Sequence, residues 1–199
     1  LEAGVSGFLH GRIGTGLGRE IAQQLSAASA FVVPNMGLAE LRREAIGTDD
    51  FLRASLPESV AARLGESSQR LLKANREEAR EAELRASFGH LLDANVDIVL
   101  GTDAGAVPDH FFGYTGHREL EIFVRLGMTP MQAIVAATSK PAQRLGLDDL
   151  GLLQPGYSAD LVVLDKNPLN NIRNTRSISL VFLNGRILDR AGMTADFTQ

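Results

Sequence analysis

The sequence predicts an α/β protein whose character changes in its last quarter, and three observations carry that prediction. The run Ile98-Val99-Leu100 is continuously apolar and ends in Gly101-Thr102-Asp103-Ala104-Gly105. That is the pattern of a parallel strand covered on both faces, delivering a polar residue at its carboxyl end. Between Val5 and Pro34, two short apolar stretches flank a helical pattern, and the whole spans about 30 residues, the length of a βαβ unit. Finally, Asn184-Gly185 separates two apolar runs, the strongest short-range hairpin signal.

The elements follow in order. Val5-Ser6-Gly7-Phe8-Leu9-His10-Gly11 reads as a strand that ends in His10. Residues 17–29 place Leu17, Ile21, Ala22 and Leu25 at helical spacing. Ala30-Phe31-Val32-Val33-Pro34 reads as a buried strand stopped by proline. Leu56 to Ala94 is helical in pattern, with a break expected near Gly65. Within it, Arg76 to Arg85 mixes both charge signs, the composition of a solvated helix face with (i, i+4) pairs. A loop from Ala106 to Gly116 holds Pro108, His110, Phe111, Phe112 and Tyr114, and loops of that length are often functional. A helix is expected from His117 to Leu126, stopped by Gly127. Thr129-Pro130-Met131-Gln132 is a capping box with proline at the first helical position. It opens a helix to Thr138, and Pro141 starts another short one. After the turn Leu152–Gly156, the stretches Ala159–Asp165, Ile178–Leu183 and Arg186–Leu188 read as strands. Residues 1–150 are therefore expected to form an α/β part and 151–199 a small β module.

Composition narrows the function classes. Of 199 residues, 44% are apolar and 22% charged, ordinary values for a globular domain. A net charge of −4 gives no electrostatic case for nucleic acid or an anionic membrane. The absence of cysteine excludes disulfides, thiolate zinc sites and cysteine nucleophiles. No apolar run approaches the ~18 residues of a membrane span. A cytoplasmic protein acting on a small molecule, with self-association open, is the expectation. The chain starts Leu1-Glu2-Ala3-Gly4 and reads as mid-domain sequence, so a portion of a longer protein is expected.

Several blocks, taken in order, resemble the amidohydrolase superfamily of metal-dependent hydrolases, in the branch with imidazolonepropionase-like and prolidase-like enzymes. Gly101–Gly105 resembles the end of the last barrel strand. Gly127–Ala133 and Ala136–Ala142 resemble the helix after it. Leu152–Asp165, with Pro155-Gly156-Tyr157-Ser158-Ala159-Asp160, resembles the start of the terminal β-sandwich, and Val181–Ile187 its final hairpin. The resemblance implies the C-terminal part of a (β/α)₈ barrel, strands six to eight, followed by strands of a small β-sandwich. It also implies a divalent metal, zinc in one or two copies, at the carboxyl ends of the strands. Asp103 matches the eighth-strand ligand, and His10 resembles the sixth-strand histidine, with Phe31–Pro34 as strand seven. No other position carries over, because the remaining family ligands belong to earlier strands.

The implied chemistry suits these residue types. Imidazole nitrogen and carboxylate oxygen are usual ligands of hydrolytic zinc. In the family the Asp also accepts the attacking water's proton and returns it to the leaving nitrogen. The implied reaction is hydrolysis of a C–N bond in an amide, cyclic amide or dipeptide, with this portion alone expected to be inactive. His110 is expected at the loop surface, His117 at a helix start, and His90 as a structural helix residue; none counts as a ligand. Tyr114 and Phe111 could line a substrate pocket. Two other readings stay open: a non-catalytic α/β fragment or pseudoenzyme needing a partner chain, and a nucleotide-binding domain. Against the latter, Gly14-x-Gly16-x-Gly18 has the wrong spacing for a dinucleotide fingerprint and follows His10 rather than a clean strand–helix turn.

Overall fold

The computed structural model describes residues 1–10, 16–40, 46–71 and 77–198. Two three-stranded sheets organise it. The first is parallel, in the order β1 (Gly7–Leu9), β2 (Phe31–Val33) and β3 (Asp97–Ile98). Its register sets Gly7 opposite Phe31 and Phe31 opposite Asp97. Helix α1 (Arg19–Ala27) makes the first crossover and buries Ala22 and Leu25. The second crossover is long: α2 (Gly37–Glu40), the 3-10 turn Ile46–Thr48, α3 (Asp50–Arg53), α4 (Glu58–Leu71) and α5 (Glu77–Asp93). Asp49 caps α3, its carboxylate accepting the N–H groups of Phe51 and Leu52. Parallel strands need such covered crossovers, and their inward side chains are accordingly sealed. Val32 and Ile98 are buried.

Several expected boundaries move; the last helix of the α/β part starts at Ser139 rather than Pro141, and three other shifts bear on the packing. Helix α4 runs through Gly65 without the expected break. A single glycine costs a helix only about 1 kcal/mol, which the packing of Ala61 and Leu64 against Leu52 and Leu56 outweighs. Strand β3 is shorter than its apolar run. Val99 still donates to the Val32 oxygen, but Leu100 N donates instead to Ala136 O of α7 (Pro130–Ala137), at 2.8 Å, and the chain leaves the sheet. Helix α6 (Tyr114–Leu126) starts three residues early, so His117 lies inside it rather than at its start. Gly11, Gly14 and Arg76, which figured in the strand, fingerprint and charge-run expectations, lie outside the described residues. Of the charge run, Glu81 pairs with Arg85 at 3.3 Å and also with Arg125 of α6, so it ties two helices together.

The capping box at Thr129 forms as expected, its hydroxyl accepting from Gln132 N while the Gln132 side chain accepts from Thr129 N. Helix α8 (Ser139–Leu145) closes the far end of the parallel sheet. Lys140 Nζ lies 2.8 Å from Asp97 Oδ1, and Arg144 Nε donates to Asp97 Oδ2 at 3.0 Å. Burial alone would raise the Asp97 carboxyl, but the hydrogen bonds and charges of these two cations outweigh it and hold it below its ordinary value.

One apolar core joins these layers: Ala22 and Leu25 of α1, Val32, Phe88 and Leu91 of α5, Ile98, and Leu120, Phe123 and Leu126 of α6. Phe88 and Phe123, both fully buried, meet with ring centroids 5.4 Å apart.

The second sheet is antiparallel, in the order β4 (Leu161–Leu164), β5 (Ile178–Leu183) and β6 (Arg186–Ile187). Asn184 and Gly185 turn the hairpin with φ of 50° and 74°, the doubly left-handed turn that matches strand twist. Between β4 and β5 the 3-10 turn Ile172–Arg176 reaches back, and Ile172 is part of the first core. Helix α9 (Arg190–Thr198) ends the described chain. Among the described residues no helix is long and apolar enough to cross a membrane.

Candidate metal centre at the carboxyl end of the parallel sheet

Each strand of the parallel sheet leaves through a polar residue in left-handed conformation. His10 follows β1 with φ 56°, Asn35 follows β2 with φ 49°, and Asp103 follows β3 with φ 54°. Non-glycine residues rarely hold such angles, and they cluster where surrounding structure over-determines them, commonly at functional sites. Here the restraints are visible. His10 N donates to Asn35 Oδ1 at 3.2 Å, tying the first two strand ends. Gly101 permits the third to close in, since a Cβ there would stand 2.4 Å from Val33 Cγ1.

The two residues singled out from sequence come together at this end of the sheet. His10 Nδ1 lies 3.6 Å from Asp103 Oδ2, although 93 positions separate them (103 − 10), and both side chains remain accessible. Ligands about 2.0–2.2 Å from one tetrahedral ion stand roughly 3.4 Å apart, so the pair has the spacing and chemistry of two ligands of one zinc-like ion. Among the described residues no group of three or more His, Asp or Glu side chains could hold a metal. Two donors alone do not complete the four-coordinate shell usual for such an ion.

The loop after Asp103 is folded against that residue. Ala104 N donates to Thr102 Oγ1 at 3.2 Å, and Ala106 N to Asp103 O at 3.2 Å. His110 corrects the expectation of a surface residue: it is 3% exposed. Its Nδ1 bonds Asp103 O at 3.0 Å, and its own carbonyl accepts from Gly105 N at 2.9 Å. Beside it Glu119 is fully buried, its two carboxylate oxygens accepting from Met36 N and Gly37 N. Sequence reasoning passed over Glu119, yet a signal was present. Glu119 shares its helix face with Ile122, Phe123 and Leu126, all buried, so a carboxylate sits on an apolar stripe at i, i+3, i+4 and i+7.

A second polar cluster lies under the loop and was likewise not foreseen. Arg176 reaches from the Ile172–Arg176 turn to Asp49 Oδ2 at 2.7 Å and Glu121 Oε1 at 2.5 Å. The Tyr114 hydroxyl donates to the same Asp49 oxygen at 3.0 Å. Burial alone would raise Asp49, but the Arg176 hydrogen bond and charge, with the Tyr114 and Leu52 donors, outweigh it and hold its carboxyl below the ordinary range. Burial, then the Asp49 charge, push the Tyr114 hydroxyl well above its ordinary value. Tyr114 is thus a buried member of the Leu52–Leu64 apolar cluster, with Phe111 packed partly buried against it. Tyr114 also lines a cavity of about 480 Å³ with Arg118, Arg173 and Arg176.

His117 faces the same cluster. It meets Phe51 edge-on at 5.1 Å, and its Nδ1 lies 3.0 Å from Thr175 Oγ1. That hydroxyl already donates to Ile172 O, so it accepts from the imidazole N–H. Burial, then the Arg176 charge, lower His117 to about 4, and it is neutral near pH 7. His90 is structural as expected, its Nδ1 bonded to Leu17 O at 2.9 Å.

Known proteins resemble this chain over most of its length. The model of the amidohydrolase family matches residues 52–188. An imidazolonepropionase of Deinococcus deserti is 31% identical over 166 residues, 82% of this chain and 36% of the relative. Adenine deaminase 2 of Rhizobium meliloti is 37% identical over 55% of this chain and 19% of its own length. Among solved structures, a Xaa-Pro dipeptidase with bound methionine superposes with a TM-score of 0.66 at 26% identity, covering 94% of this chain and 40% of that one. The chain thus spans well under half the length of each of these relatives. A family match that covers both Asp103 and the hairpin at Asn184-Gly185, together with a shared fold, leads to one conclusion: this chain belongs to the amidohydrolase family.

Proposed function

We propose that this chain is the C-terminal portion of a metal-dependent hydrolase that cleaves a C–N bond in a small amide, cyclic amide or dipeptide. The observation that carries the reading is the convergence of His10 and Asp103 at the carboxyl end of a parallel sheet, in a family member. Active sites of barrel enzymes lie at that face. On this reading β1, β2 and β3 are barrel strands six, seven and eight, β4–β6 belong to a composite β-sandwich, residues 1–150 and 151–199 being the two parts. The names of the relatives, an imidazolonepropionase, an adenine deaminase and a dipeptidase, support a C–N bond as the target class.

His10 Nδ1 and the Asp103 carboxylate would hold a divalent ion, zinc in one or two copies. Bound there, the ion would polarise the scissile carbonyl and acidify the attacking water. The rest of the reaction falls to Asp103. Its carboxylate accepts the water's proton and delivers it to the leaving nitrogen, a general acid–base role. The left-handed backbone at Asp103 aims that carboxylate at His10, and the Thr102–Ala106 turn fixes it before substrate arrives.

The test uses the intact enzyme containing this chain, loaded with zinc. Asp103→Asn keeps the shape but removes the proton acceptor and the anionic ligand. Turnover of its amide substrate should fall by at least about a thousandfold, as proton transfer (10²–10⁴) and metal charge are both affected. Unchanged turnover would sink the reading. This chain on its own is expected to show neither tight stoichiometric zinc nor hydrolysis, and finding both would show that it is self-sufficient.

A further inference from the structure

We propose that His110 is a positioning residue of this centre: its buried ring holds the main chain of Asp103 in the conformation that presents the carboxylate to His10. The inference rests on the metal-site reading above and adds to it a residue that never touches the ion. Four observations join. Asp103 stands at φ 54°, in the left-handed region that few non-glycine residues occupy, so partners that hold it there matter. Its carbonyl accepts two hydrogen bonds, from Ala106 N at 3.2 Å and from His110 Nδ1 at 3.0 Å. His110 is itself fixed, since its carbonyl accepts Gly105 N and the residue is 3% exposed. The ring therefore closes residues 103–110 into a small loop braced from both sides.

The other face of the ring decides what kind of brace this is. His110 Nε2 is buried and has no hydrogen-bond partner among the described residues. A Cβ on Gly37 would stand 3.4 Å from it and 3.1 Å from Glu119 Oε2. Ring, carboxylate and the backbone after β2 thus crowd one point, and Glu119 grips that backbone through Met36 and Gly37. The same segment starts with Asn35, whose amide oxygen accepts His10 N. His110 consequently sits where the exits of β2 and β3 meet, and both proposed ligands are set by that junction. A carbonyl only accepts, so the bond to Asp103 requires the hydrogen on Nδ1. Outer partners of metal ligands typically alter metal affinity or activity 10–100-fold when removed.

Two substitutions separate positioning from bulk. His110→Phe keeps a buried ring and removes the donor; His110→Asn places an amide N–H where Nδ1 stands. In the intact enzyme loaded with Co²⁺, His110→Phe should shift the visible d–d bands, loosen the metal and cut kcat/KM about 10–100-fold. His110→Asn should restore kcat/KM to within a few-fold and return the bands. ¹⁵N NMR of the histidine rings in this chain should find His110 carrying its hydrogen on Nδ1. The proposal is overturned if the hydrogen is on Nε2, or if His110→Phe and His110→Asn lose activity alike with unshifted bands. Asp103→Asn, measured beside them, separates the two claims. If it leaves bands and turnover intact, the metal reading itself fails. If it changes both while His110→Phe changes neither, only the role of His110 falls.

Discussion

The two sheets of this molecule handle apolar residues in opposite ways. In the parallel sheet Val32 is 2% exposed and Ile98 not at all, because as register partners they share the face that packs into the first core. In the antiparallel sheet Val162 and Val163 point to opposite sides, as successive strand residues must, and yet they are 51% and 39% exposed; Ile187 is 60% exposed. The first sheet carries its own core beneath the polar exits at its carboxyl end. The second has strand pairing and a good turn, but among the described residues none of its strand side chains is fully buried, so its order rests on the ladder and on the Ile172–Arg176 turn that grips the first core.

The largest effect should come from the core of the first sheet. Phe88→Ala removes a fully buried ring packed on Phe123, and urea unfolding should show a loss of about 3–5 kcal/mol. A loss below 1 kcal/mol would mean that the two sheets do not differ as described.

A middle-sized effect concerns the seam between the regions, and its sign follows from His117. The folded value of about 4 lies below the ordinary value of 6.5. Between these values the unfolded chain binds a proton that the folded chain does not, so stability falls as pH drops from about 6.5 to 4. The loss should be on the order of 1–3 kcal/mol, and His117→Asn should flatten it. Below about pH 4 the lowered carboxyls Asp49 and Asp97 add a further acid loss, because their contribution holds above the ordinary carboxylate value and disappears as they protonate. A denaturation series from pH 8 to 3.5 reads both phases; a slope that survives His117→Asn assigns the first to another group.

The smallest effect is expected in the uncovered sheet. Val162→Thr keeps the β-branch on an exposed position and should change stability by less than about 0.5 kcal/mol. A loss above 1 kcal/mol would show that this face is covered in solution.

Local signals carried much of the fold. The Asn184-Gly185 hairpin, the Thr129 capping box and the strand–helix–strand opening were all legible, because each is encoded within a few neighbouring residues. Half of the candidate site was legible too: motif and resemblance singled out His10 and Asp103, and the chain brings them within 3.6 Å. What escaped is long-range. Glu119 binds the Met36 amide 83 positions away and Arg176 meets Asp49 at a separation of 127. Neither partner leaves a periodic trace near the other. His110 looked like a surface residue because polar loop residues usually are; its burial depends on Gly37 and Glu119, brought in by other elements. Strand β3 stops two residues short of its apolar run for the same reason, as the Ala136 carbonyl of α7 takes Leu100 N.

The Ile172–Arg176 turn has a consequence for cleavage. Ile172 is seated among residues from the first core, and Arg176 bridges Asp49 and Glu121. A protease cut in the exposed stretch around Leu152–Pro155 would break the covalent thread without freeing the C-terminal piece. The two fragments should travel as one particle and part only when the plug at Ile172 is drawn out.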